Sequence, residues 1–118
     1  MGISEMIKQQ WADIGVIHSS RLNLIIHVFA VPTFIIGIVG LVYSLVNLRI
    51  IEAGSFVLIM AVSLLVQSYG HSRENVRSAP FAGPVDALTR ILIEQLINFP
   101  RFLLTGKWFA TLRSSEKP

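Results

Sequence analysis

HSSRLNLIIHVFAVPTFIIGIVGLVYSLVNLRIIEAGSFVLIMAVSLLVQSYGH, residues 18–71, decides the fold. Between Leu22 and Leu48 no residue carries a formal charge apart from His27, and Ala53 to Gly70 carries no charge at all. Val28 to Leu48 alone is 21 residues, about 31 Å as a helix, which matches the hydrocarbon core of a bilayer. The second run is 18 residues, about 27 Å. Only the short polar break Arg49-Ile50-Ile51-Glu52 separates them. This pattern predicts an all-α protein, an integral membrane hairpin with transmembrane helices over 22–48 and 53–70. Pro32 removes a backbone donor and predicts a kink in the first turns. Gly37 and Gly40 thin the helix for close packing against a neighbour.

Working outward, residues 4–17 read as an amphipathic helix lying along the membrane surface. Ser4 is the candidate N-cap, and Ile3, Ile7, Trp11 and Ile14 recur at helical spacing. On the other side, Ser78-Ala79-Pro80-Phe81-Ala82-Gly83-Pro84 is a breaker segment. Beyond it, 84–113 reads as amphipathic or membrane-associated helices, with Pro84 in a first turn and Pro100 as an interruption. Asp86, Arg90 and Glu94 fall at i, i+4, i+8, which predicts a solvated or headgroup-facing stripe. Lys107, Trp108, Phe109 and Arg113 read as interfacial anchors.

Composition agrees. Hydrophobic residues make up 53% of the 118 residues and charged ones 14%, well under the roughly 25% typical of soluble domains. Mean hydropathy is +0.63, and the length fits one domain, 1–118. No cleavable signal peptide is expected, because the apolar run starts late and is too long. The net charge is +3, but the basic residues are scattered, with no basic stripe carrying interleaved aromatics. Anionic lipid headgroups therefore account for them and nucleic acid does not. Lys8 and Arg21 precede the hairpin, most other basic residues follow it, and Arg49 alone lies in its loop. Both termini are therefore expected on the cytoplasmic side. Cysteine is absent, so a disulfide, a thiolate metal site and a cysteine nucleophile are all excluded.

The candidate chemistry lies in the histidines. The chain has three, His18, His27 and His71, all at the polar ends of the two runs. His27 and His71 lie at similar distances from the hairpin turn, so antiparallel packing brings them to one depth, with His18 just outside. Asn23 and His27, and Gln67 and His71, are i, i+4 pairs on one face; Glu74 is one turn beyond His71. Imidazole and carboxylate are ligands of non-haem Fe(II) and of zinc. On this reading His18, His27 and His71 bind a metal, and Asn23 and Gln67 hydrogen-bond the rings. Glu74 is the candidate catalytic carboxylate, placed to ligate directly or to hydrogen-bond an imidazole.

His18, Asn23, His27 and Pro32 together resemble the opening motif of the fungal 2-hydroxy fatty acid dioxygenase family. Gly70, His71 and Glu74 resemble its second motif, and Asn75, Pro80-Phe81, Pro84 and the closing LLTGKW resemble its small bacterial branch. The resemblance spans roughly residues 15 to 108. It implies an Fe(II)-dependent oxidative shortening of a 2-hydroxy fatty acid by one carbon, with the histidines as iron ligands. Arg73 or Arg77 would then pair with the substrate carboxylate. The SAPFAGP segment differs from the longer fungal chains, which bears on substrate identity. Expected partners are a fatty-acid or lipid substrate, O2 and the membrane, with homo-oligomer formation open. Two other readings stand beside it: a non-enzymatic membrane interaction protein, and a metal-dependent lipid hydrolase.

Overall fold

The computed structural model describes residues 2–115, and every regular element among them is helical. In α1 (Ile3–Ile17) the Met6 N–H bonds the Gly2 carbonyl at 3.0 Å, so Gly2 is the cap and Ser4 lies inside the first turn. His18 leaves helical geometry and ends α1, and Ser20 caps α2 (Arg21–Val46). Pro32 does not break α2, which is one 26-residue helix with the proline on an exposed face. At 1.5 Å per residue α2 is about 39 Å long.

The turn comes earlier than Arg49–Glu52. Leu48 adopts a left-handed φ of 56°, and the Arg49 N–H reaches back to the Ser44 carbonyl at 2.8 Å. α3 (Ile50–Ser72) then starts at once, which places Glu52 in its first turn. There the carboxylate complements the positive helix end and pairs with Arg49 at 3.1 Å. The two helices pack antiparallel through Gly37 and Gly40. A Cβ on Gly37 would stand 2.5 Å from Met60 Cγ, and one on Gly40 would collide with the Phe56 ring. Both α2 and α3 are long and apolar enough to span a membrane.

The remaining elements form a cap on one end of this hairpin, where α2 begins and α3 stops. They are α1, α4 (Pro84–Ile93), a π-helical turn (Glu94–Asn98), α5 (Phe99–Leu104) and α6 (Lys107–Ser114). Ile14, Leu24, Val31, Phe99, Phe102 and Trp108 make the cap's core. Burying each such side chain contributes about 1.5–3 kcal/mol.

Three expectations change here. Trp108 is not a surface anchor: its indole is buried and donates to the Leu24 carbonyl at 3.0 Å. The apolar face of α1 is covered by protein only toward its C-terminal end: Ile14 is buried, Trp11 packs on the core and Asn98 Nδ2 ties the π-turn to the Ile7 carbonyl at 3.1 Å, while Ile3 stays exposed. Pro100 does not stop the helix. The chain widens into the π-turn just before it, with the Phe99 N–H bonding the Glu94 carbonyl five residues back, and Pro100 takes a first-turn place in α5.

Candidate metal centre

Each histidine comes from a different element. His18 ends α1, His27 lies one turn beyond the first turn of α2, and His71 is in the last turn of α3. Their ring centroids form a near-regular triangle, 4.5, 4.6 and 4.7 Å on a side. The outer nitrogens are tied to main chain. His18 Nδ1 bonds the Ile14 carbonyl at 2.8 Å and His27 Nδ1 the Asn23 carbonyl at 3.0 Å. His71 bonds the Ile17 carbonyl. A carbonyl oxygen can only accept, so in His18 and His27 the proton sits on Nδ1 and the Nε2 lone pair is free. Both Nε2 atoms are buried without a hydrogen-bond partner. Leaving a buried acceptor unmatched costs about 1–3 kcal/mol, and a cation at the centre would remove that cost.

The fourth member is Glu94, first residue of the π-turn. Its Oε1 lies 3.7 Å from His18 Nε2. The ligating atoms of His18, His27, His71 and Glu94 all lie within 4.8 Å of one another, so the group could hold a metal ion. Burial first, and the neighbouring His27 and His71 second, hold the His18 imidazole well below the usual histidine range. It is therefore neutral near pH 7 and its lone pair is available. Burial pushes the Glu94 carboxyl up to about 7, against the opposing effect of the Gln95 amide and the Arg90 charge. Phe99 lies 5.6 and 5.5 Å from the His18 and His27 rings, a dry wall behind the triangle.

The residues singled out from sequence divide into those brought to this centre and those placed elsewhere. The three histidines converge. Asn23 supports the site through its main-chain carbonyl on His27, and its Nδ2 lies 3.5 Å from His71 Nδ1. Gln67 makes its side-chain hydrogen bonds away from the histidines: its amide pairs with Gln95, which reaches Glu94. Glu74 is outside the group. Its oxygens accept from the Ser19 and Ser20 N–H groups at 3.0–3.1 Å, from Ser19 Oγ at 2.9 Å and from Asn23 Nδ2 at 2.8 Å. It caps the start of α2 and clamps the α1–α2 corner to the end of α3. Gly70 is needed at that clamp, because a Cβ there would collide with Asn23 Oδ1.

Glu94 is the site residue that pattern reasoning misassigned. The Asp86–Arg90–Glu94 stripe is half-buried along the cleft rather than freely exposed: these side chains are 22%, 21% and 16% exposed. Arg90 donates to the Ala79 and Pro80 carbonyls at 2.6 and 3.0 Å and lies over the Phe81 ring, while Asp86 accepts the Ala82 N–H. The breaker segment is thereby folded onto α4. One signal for Glu94 was present: it is a lone carboxylate in the otherwise apolar stretch Ile91–Ile97, broken only by Gln95.

A cleft of about 700 Å³ opens onto the centre from the side of His71 and Glu94. α1, the last turns of α3, residues 76–81 and α4 wall it. Arg77 lines this cleft and Arg73 does not. No family model, curated protein or solved structure matches the chain.

Proposed function

We propose that this protein is an Fe(II)-dependent dioxygenase that shortens 2-hydroxy fatty acids by one carbon at a membrane surface, with its hairpin in the bilayer. The observation that carries the reading is the triangle of imidazoles, with the inner nitrogens of His18 and His27 unmatched, closed by a carboxylate and reached by a cleft. Nitrogen and carboxylate ligands suit both iron and zinc. The sequence motifs described above tip the choice to iron and to 2-hydroxy acids. Only 28% and 17% of the apolar windows of α2 and α3 are buried in the protein, where a soluble core helix would be mostly covered. That exposure supports a bilayer position.

His18, His27, His71 and Glu94 would hold the metal, which when bound supplies activation of O2. The main-chain carbonyls of Ile14, Ile17 and Asn23 keep the three rings aimed at it. Arg77 on the cleft wall would pair with the substrate carboxylate, and Leu64 and Val16 on the same cleft would give its chain an apolar path. Phe99 and Phe102 keep water from the rear of the His18 ring.

The test is anaerobic purification with metal analysis, followed by oxygen uptake and product mass on adding a 2-hydroxy fatty acid. Stoichiometric iron and an acid one carbon shorter are expected. Undiminished turnover without oxygen, or with zinc alone, would move the assignment to a lipid hydrolase. Absence of any bound transition metal would leave a membrane interaction protein.

A further inference from the structure

Beside the centre lies a buried polar chain with a fixed direction. Ser63 Oγ donates to the Ala30 carbonyl at 2.5 Å. That carbonyl can only accept, so Ser63 spends its proton there and can only accept from its other neighbour, Gln67. Gln67 must therefore present its NH2 group to Ser63, at 3.1 Å. The same NH2 donates to Gln95 Oε1 at 2.9 Å, and Gln67 Oε1 accepts from Gln95 Nε2 at 2.6 Å. The two amides thus form a closed reciprocal pair. One Gln95 N–H remains, and it is directed to Glu94 Oε2 at 3.3 Å. Gln67 and Gln95 are 3% and 1% exposed, so water does not compete for these groups. The other Glu94 oxygen, Oε1, is the one facing His18 Nε2.

We propose that Gln95 is a positioning residue: it holds Oε2 of Glu94 away, so that the carboxylate binds the metal through Oε1 alone. The inference rests on the metal-centre reading. A carboxylate that chelates through both oxygens occupies two coordination positions, whereas one held by a single oxygen leaves the second position free. The direction of the hold is set far from the metal, by the Ala30 carbonyl on α2, and is passed through Ser63 and Gln67 on α3. Gln67 therefore acts only through Gln95.

Cobalt(II) binding to the purified protein in detergent tests this, read by affinity and by the intensity of the visible absorption, which falls as coordination number rises. Gln95→Leu should bind Co(II) about 10–100-fold more weakly, in the range for lost partners of metal ligands, with a less intense spectrum. The double variant Gln67→Leu, Gln95→Leu leaves no unpaired amide of this pair. Replacing both partners by apolar groups of similar shape can be nearly neutral for stability. Its thermal unfolding should therefore recover toward wild type while its Co(II) affinity and spectrum stay as impaired as in Gln95→Leu. Recovery of affinity in the double variant would reduce the pair to packing and overturn the proposal, as would an unchanged affinity and spectrum in Gln95→Leu. Wild-type protein that binds no Co(II) would instead remove the metal centre itself, and this assignment with it.

Discussion

Glu94 and Glu74 show how two carboxylates near the same histidines come to differ. Glu74 is saturated by N–H and O–H donors at a helix start; Glu94 has one oxygen held and the other turned to an imidazole. Glu94→Gln should abolish stoichiometric metal binding, whereas Glu74→Gln should retain metal and lower thermal stability through the loosened α2 cap. Metal loss from Glu74→Gln at unchanged stability would reverse the two roles. Proton linkage gives a second check. With the Glu94 carboxyl pushed up to about 7 by burial, the metal-free site holds its proton below that pH and must release it when metal binds. Apparent affinity should therefore fall by about tenfold per pH unit below 7 and level off above it. Calorimetry in buffers of different ionisation heat should register close to one proton released at pH 6 and almost none at pH 8.5. The histidines were legible because equal distance from a turn fixes their depth. Glu94 was not, because an i, i+4, i+8 stripe marks a helix face without saying what lies over it.

The hairpin turn and the π-turn are where single elements depart from their sequence pattern. Charge alone put the turn at Arg49–Glu52. The structure instead spends Asn47, Leu48 and Arg49 on the reversal and uses Glu52 to begin a helix. A leucine at positive φ has no composition signal, since glycine or asparagine is the residue expected there. Leu48 is 81% exposed and packs on little. Leu48→Gly should therefore stabilise the hairpin by about 1 kcal/mol through relief of the left-handed conformation, seen as a raised unfolding temperature in detergent. A lowered temperature would mean the leucine side chain matters more than its backbone. The π-turn was equally hidden. Pro100 marks a helix disturbance but not its form, and the widened turn carries Glu94, Gln95 and Asn98, all turned toward the protein interior or the cleft.

At the scale of the whole molecule the cap and the bare hairpin end divide the surface. Ile36, Val39, Val42, Ile51, Leu58 and Leu65 stay exposed along the hairpin, while α1 and α6 both belong to the cap. The division of labour was readable from run length and charge; the packing of the cap was not, because amphipathic helices look alike whether protein or headgroups cover them. The absence of native cysteine makes the arrangement testable. In oriented membrane vesicles, an impermeant maleimide should label Ile51→Cys from one side and Arg113→Cys only from the other, with Arg113→Cys on the cytoplasmic side. Labelling of both from a single side would remove the crossing hairpin.

The four prospective ligands are spread along the chain at 18, 27, 71 and 94, and each sits on a separate element. An ion shared among them would act as a clasp, closing three chain loops at once and lowering the entropy of every opened state. The order of synthesis then matters. His27 and His71 can meet as soon as the second long helix is in place, but His18 ends a helix that packs on the later cap elements, and the clasp cannot lock until the segment bearing Glu94 has folded over it. Loading would be the last step of maturation, and a cell short of the ion would accumulate a protein whose hairpin is finished and whose cap is still able to lift.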